Sequence, residues 1–195
     1  MAGLRNTTIV LSVPVLLGLT CTVAETTRAQ DRWLKAEAEV VRLSPNVFRE
    51  LPRRVARKLV AWGCTIPQAK EISHRHNVIK GDFKGANQTD WAVLCSKGHA
   101  SSIIIFWEGS PDSFSKIARI ADKVFLQTID GEGTIGFSRT ISAAGKAYVL
   151  QHYREYHGPK PPPLNHQGIE DGFLDKASTI YYYSGRKWIA LQGAD

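Results

Sequence analysis

Residues 91–107, WAVLCSKGHASSIIIFW, place two runs of apolar and β-branched residues on either side of a short polar turn. Runs of this composition favour β-strands. The turn, residues 95–99, is short enough to join antiparallel neighbours. We therefore predict a β-hairpin with strands at residues 91–95 and 102–107.

Outward from this hairpin, similar runs recur through the rest of the chain. Four of them predict further strands, at residues 78–83, 147–153, 179–183 and 187–191. The turn Ser184-Gly185-Arg186 predicts that the last two strands form a second hairpin. Residues 117–125 fit a helical stripe or a bent strand, and the turn before them favours a strand.

The N-terminal side of this sheet has helical patterning. Ser44 and Pro45 are typical of an N-cap followed by the first helical residue. An apolar stripe then recurs at three- and four-residue steps: Val47, Phe48, Leu51, Val55, Leu59 and Trp62. Because Pro52 interrupts the hydrogen-bond ladder, we expect a kinked helix or two consecutive helices ending near Gly63. The predicted fold class is α+β, with an N-terminal helical segment packed on a mostly antiparallel β-sheet.

The first 29 residues have the features of a signal peptide. Arg5 precedes an apolar run at residues 9–19, which is shorter than the roughly 20 residues that cross a bilayer. Small residues favour cleavage after Ala24 or Ala29. We therefore predict an exported protein, periplasmic or secreted, with no transmembrane segment and a single domain over residues 30–195.

Export changes the expected chemistry of the cysteines. Either cleavage removes Cys21 and leaves Cys64 and Cys95, an even pair in a compartment where disulfides persist. We expect these two residues to form a disulfide, and two buried free thiols are the alternative. Lipidation of Cys21 is disfavoured because Thr20 is larger than the residue that usually precedes a lipidated cysteine.

The charge balance favours anionic partners. The formal net charge is +7 at pH 7. Cleavage leaves +6, because removal of residues 1–24 loses Arg5, whereas removal of residues 1–29 loses Arg5, Arg28 and Glu25. For an exported protein this indicates an anionic envelope polymer or another exported protein, and not nucleic acid. Five basic residues share one face of the predicted helix, either as a binding patch or as its solvated side: Arg49, Arg53, Arg54, Arg57 and Lys58.

Residues 81–94, GDFKGANQTDWAVL, resemble the repeat of FG-GAP and VCBS-type proteins. The resemblance covers only this short segment, and it implies a β-propeller loop that binds calcium. It places Asp82 and Asp90 at the first and last ligand positions, but Lys84 and Ala86 stand where the family has oxygen ligands. Calcium takes six to eight oxygens, so we expect a metal-free loop, no cofactor and no propeller from a single repeat.

A polar region follows, from residue 151 to residue 175 on either side of a proline-rich loop. Its histidines and carboxylates, His152, His166, Glu170 and Asp171, are candidate catalytic residues for acid–base chemistry. A hydrogen-bonded pair of His166 and Asp171 that holds the loop to the sheet explains the same residues.

Two functions follow from these patterns. The first is a non-enzymatic binding or interaction protein of unknown ligand, which uses the two polar loops. Its candidate ligand-binding residues are Asp82, Lys84, Asp90 and Tyr156. The alternative is a small cell-envelope hydrolase with a histidine–carboxylate site. The sequence contains no serine-hydrolase elbow, zinc-protease motif or phosphate-binding glycine loop.

Overall fold

A computed structural model describes residues 30–195, so the predicted signal peptide lies outside the described residues. This part of the chain contains three α-helices: α1 (residues 30–38), α2 (Arg53–Ala61) and α3 (Lys146–Tyr156). Ser44 caps a 3-10 turn at Pro45–Val47 by accepting a hydrogen bond from the Asn46 N–H. Helix α2 begins after Pro52, where the sequence predicted a break. The helix that was expected to begin at Pro45 is only a three-residue 3-10 turn, because Phe48 has an extended backbone.

Twelve strands accompany the helices. They are β1 (Arg42–Leu43), β2 (Ile66–Pro67), β3 (Val78–Gly81), β4 (Asp90–Ser96), β5 (Ala100–Phe106), β6 (Phe114–Ala121), β7 (Leu126–Thr128), β8 (Ile135–Phe137), β9 (Arg139–Ala144), β10 (Gly168–Phe173), β11 (Ala177–Ser184) and β12 (Lys187–Gln192). Both predicted hairpins, β4–β5 and β11–β12, are confirmed.

The strands form two four-stranded antiparallel sheets and two small pairs. The front sheet has the order β3-β4-β5-β6, and the back sheet has the order β12-β11-β10-β9. Strands β1 and β2 form one small pair, and β7 and β8 form the other. The α+β expectation therefore holds in its broad form, with mostly antiparallel strands and some helix.

The two large sheets face each other, with one helix on each outer face. Leu94 and Ile103 of the front sheet share a buried cluster with Ile141 and Ile169 of the back sheet. Helix α2 packs on the outer face of the front sheet through Val55 and Leu59 against Val93 and Ile104. Helix α3 packs on the outer face of the back sheet, where Val149 joins Ile180, Tyr182 and Leu191. Burial of apolar side chains on both faces of each sheet stabilises this layered arrangement.

A buried ion pair lies between the sheets. Arg139 is fully buried, and its guanidinium donates two hydrogen bonds of 2.8 Å to the Asp171 carboxylate. The remaining donors reach the Ser101 carbonyl and hydroxyl in β5 and the Ala118 carbonyl in β6. The guanidinium also lies 4.5 Å from the centre of the Phe125 ring. A charge that is buried this deeply needs such complete pairing, so this one side chain connects the back sheet to the front sheet.

Cys64 and Cys95 form a disulfide, which confirms the predicted pairing. It links the segment after α2 to β4 across a sequence separation of 31 residues. Within residues 30–195, no helix has both the length and the apolar character needed to span a bilayer.

Several segments differ from the sequence predictions. The strand favoured at residues 117–125 ends at Ala121, and a 3-10 turn follows at Asp122–Phe125. Residues 147–153 were predicted as a strand but belong to helix α3, where Val149 and His152 are both buried and lie three residues apart. This spacing places them on one helical face. The apolar run is short, so both the helical and the strand periodicity fit it. Residues 168–173, which the sequence placed in the polar region without assigning a strand, form β10, one of the two central strands of the back sheet.

Candidate functional site

The loop that resembles an FG-GAP repeat is held by Asp90. This side chain is fully buried, and its carboxylate accepts hydrogen bonds from the Phe83 N–H, the Glu108 N–H and the Gln88 side-chain amide, at 2.7 to 3.0 Å. Asp82 pairs through its backbone with Gln167. No group of three or more metal-ligating side chains occurs between residues 30 and 195. In this structure Asp90 therefore fixes the shape of the loop through N–H donors.

The two polar loops that the sequence predicted as a binding surface meet in space. The Gln167 N–H donates to the Asp82 carbonyl, and the Asp82 N–H donates to the Gln167 side-chain oxygen. A groove of about 450 Å³ opens beside this contact. We call it the loop groove, and its lining includes Lys84, His166 and Arg186. The Lys84 ammonium lies 5.6 Å from the centre of a Trp107 ring. The loop groove thus carries two cationic side chains.

His166 lines this groove, but its ring nitrogens contact backbone groups. Nδ1 lies 2.9 Å from the Gln167 carbonyl oxygen, and Nε2 lies 2.9 Å from the Tyr183 carbonyl oxygen. The ring also stacks on Tyr182, with centroids 4.2 Å apart. These contacts hold the loop against β11. They do so without the His166–Asp171 hydrogen bond that the sequence offered as an alternative to catalysis, because the Asp171 carboxylate is bonded to Arg139.

Glu170 and Asp171 lie on opposite faces of β10, because successive side chains alternate across a strand. Asp171 points between the sheets and pairs with Arg139. Glu170 points to the α3 side and accepts hydrogen bonds from the hydroxyls of Ser142, Tyr148 and Ser178. Burial and the neighbouring Glu170 carboxylate raise the pKa of Tyr148, which keeps this phenol in its donor form. The two carboxylates therefore lie in separate environments and have different hydrogen-bond partners.

His152 and Tyr156 lie on helix α3. The His152 ring is buried and packs against Tyr148 and Tyr156, with ring centroids 4.2 and 5.7 Å away. Its Nδ1 is 3.9 Å from a Glu155 oxygen, and neither ring nitrogen makes a hydrogen bond to the described part of the chain. Tyr156 is partly exposed at the end of the helix. The four candidate catalytic side chains thus have separate partners and share no hydrogen bond.

A second groove lies on the outer side of α2. It has a volume of about 600 Å³, and Arg49, Arg53 and Arg57 line it. Arg53 and Arg57 lie four residues apart on one side of α2, whereas Arg49 lies in the turn before the helix. The buried side chains of Phe48 and Leu51 also line the groove. We call this surface the arginine groove.

The arginines of the arginine groove form no ion pair with another described residue. Arg49, Arg53 and Arg57 are exposed, and none has an ion-pair partner among residues 30–195. In contrast, Lys58 on the same helix donates a 2.8 Å hydrogen bond to Asp112. The sequence indicated the basic face, but the concave shape depends on the turn before α2 and became visible only in the structure.

No protein-family model matches the chain, and neither the curated proteins nor the solved structures contain a significant match.

Proposed function

We propose that this chain is an exported, non-enzymatic binding protein that engages an anionic polymer of the cell envelope through the arginine groove. The observation that carries the proposal is the row of three unpaired guanidinium groups along one concave surface. A guanidinium presents a planar fork of donors that matches phosphate or carboxylate oxygens, so a row of them suits a polymer with repeated anionic groups.

The surroundings of the arginines support attraction of a long anionic chain. The net charge of the whole chain is +7, so attraction acts beyond direct contact. The loop groove adds two more cations, Lys84 and Arg186. A polymer that reaches both surfaces would gain affinity from each without requiring a deep pocket.

The partners of the acid–base candidates favour binding over the hydrolase alternative. His166 contacts two backbone carbonyls, and Asp171 is paired with Arg139. Glu170 accepts hydrogen bonds from three hydroxyl groups. A general base must reach a substrate proton, and these contacts occupy three of the four candidates. The fourth, His152, is buried against Tyr148 and Tyr156.

The experiment compares two double variants that each remove two positive charges. Arg53→Ala with Arg57→Ala changes the arginine groove, whereas Lys123→Ala with Lys187→Ala removes exposed charges elsewhere. Binding of long-chain inorganic polyphosphate and poly-L-glutamate is measured by fluorescence anisotropy over a series of salt concentrations. The expected loss for the arginine pair is about 30-fold, from about 1 kcal/mol for each cation near an anionic surface.

The control pair is expected to lose much less affinity, and binding of the wild-type protein should weaken as salt rises. Equal losses for the two double variants would show that net charge alone drives binding and would contradict the assignment of the groove. Absence of wild-type binding to both polyanions at low salt would contradict the proposal as a whole.

A further inference from the structure

An apolar groove of about 480 Å³ lies between α1, the residues that follow β2, and β8. Its apolar lining includes Val40, Leu43, Ala69, Ile72, Ile135 and Phe137. We call this surface the α1 groove. Its volume falls within the roughly 300–1,000 Å³ that is usual for small-ligand pockets. It shares no lining residue with the arginine groove.

Cationic side chains stand on the rim of the α1 groove. Lys70 and Arg75 line it and are exposed, and neither has a carboxylate partner in the part of the chain that the structure describes. The acidic residue of the lining, Glu39, has a lysine neighbour, because Lys35 lies 3.8 Å from its carboxylate. An apolar floor with unpaired cations at its edge is complementary to an alkyl chain that ends in an anion.

The exposed apolar surface of the groove has no cover among residues 30–195. Val41 lines the groove and is 59% exposed, which is the largest exposure among the big apolar side chains described. An alkyl chain seated on this surface would remove Val41 from water, together with the partly exposed side chains Val40, Leu43, Ile72 and Ile135. Burial of apolar surface would therefore supply the affinity, and the rim cations would supply the preference for an anionic headgroup.

We propose that the α1 groove binds the alkyl chain of a single-chain anionic amphiphile, of which a long-chain fatty acid is the simplest example. This inference uses residues outside the arginine groove and does not depend on the proposed function. The segment of residues 41–49 borders both grooves, and the Arg75 guanidinium donates a 2.8 Å hydrogen bond to the Val47 carbonyl within it. The rim of the α1 groove therefore lies beside the arginine groove.

The test is isothermal titration calorimetry with octanoate, decanoate and dodecanoate, each kept below its critical micelle concentration. Affinity should rise by up to about 4-fold for each added methylene group, as expected when apolar surface leaves water. Decanol and decyltrimethylammonium share the alkyl chain of the decyl series but lack the anion. Both should bind more weakly than a fatty acid of the same length if the rim cations select the headgroup.

Two matched substitutions locate the binding surface. Val41→Glu introduces a carboxylate into the α1 groove, whereas Val124→Glu makes the same change at a valine of similar exposure, 55%, outside it. We expect Val41→Glu to weaken decanoate binding at least 10-fold and Val124→Glu to leave it unchanged. Both positions are already largely exposed, so neither change should unfold the protein, and circular dichroism checks this.

The two proposals fail independently. Arg53→Ala with Arg57→Ala should retain decanoate binding even where polyphosphate binding is lost. Absence of decanoate binding, or equal binding by the Val41→Glu and Val124→Glu variants, would overturn the assignment of the α1 groove. Equal affinity for decanoate and decyltrimethylammonium would overturn the role of Lys70 and Arg75.

Discussion

The ion pair of Arg139 and Asp171 should dominate the response of the protein to substitution. Arg139→Met leaves the Asp171 carboxylate buried without its guanidinium, and it leaves the Ala118 carbonyl without that donor. It also removes the contact with the Phe125 ring. Breaking one side of a buried ion pair costs about 3–5 kcal/mol, and we expect a loss in this range.

Replacing both partners tests whether the cost comes from the orphaned charge. Asp171→Leu alone leaves the guanidinium unpaired and should also destabilise the protein by about 3–5 kcal/mol. The double variant Arg139→Met with Asp171→Leu leaves neither charge in the core. It should therefore be several kcal/mol more stable than the sum of the single effects predicts.

Urea denaturation followed by tryptophan fluorescence measures these differences. With a slope of about 2 kcal/mol per molar urea, a loss of 4 kcal/mol lowers the midpoint by about 2 M. The disulfide of Cys64 and Cys95 must stay intact in all variants, since its loss would change the unfolded state. A single-variant cost below about 1 kcal/mol, or strict additivity in the double variant, would refute the reasoning.

Two further predictions concern single side chains. Asp90→Ala should lower the free energy of unfolding by about 2–4 kcal/mol, because the Phe83 and Glu108 N–H groups lose their acceptor. Millimolar calcium should leave the Tm of the wild-type protein unchanged. A clear rise in Tm would show that the loop binds the ion. Burial lowers the pKa of His76 below its ordinary value of 6.5, and the neutral ring accepts the Ala69 N–H at 2.7 Å, so the folded state binds fewer protons than the unfolded state. The contribution of neutral His76 to the free energy of unfolding is fully present above pH 6.5, and it is lost as the pH falls from there through the folded-state pKa. In urea titrations at pH 5 to 7, a His76→Gln variant should show a shallower pH dependence of stability. An unchanged dependence would contradict the role of His76.

Local patterns were enough to predict the hairpins, the break before α2 and the α+β class. Each of these depends on residues that are close in the chain, such as the turn between β4 and β5 or Pro52 before α2. The error at residues 147–153 has a related cause. The run around Val149 is short, so strand and helix periods both fit it, and its packing against the back sheet favours the helix.

The candidate sites could be predicted from the sequence less fully than the secondary structure. The sequence identified the basic residues of α2 and the two polar loops, and the structure brought the loops together through Asp82 and Gln167. It also gave Glu170 and Asp171 separate partners, because β10 is a strand and directs them to opposite faces. The α1 groove could not be predicted, since its lining comes from three separate segments of the chain.

The sequence by itself determined the positive charge and predicted the disulfide pair, helix α2 and six of the twelve described strands, because composition and short-range periodicity carry that information. Only the tertiary structure decided that the strands divide into two facing sheets and that Arg139 joins them through Asp171, Ser101 and Ala118. The physical reason is that a buried charge is stable only where donors and acceptors from distant segments converge, and that convergence is a property of the packed chain.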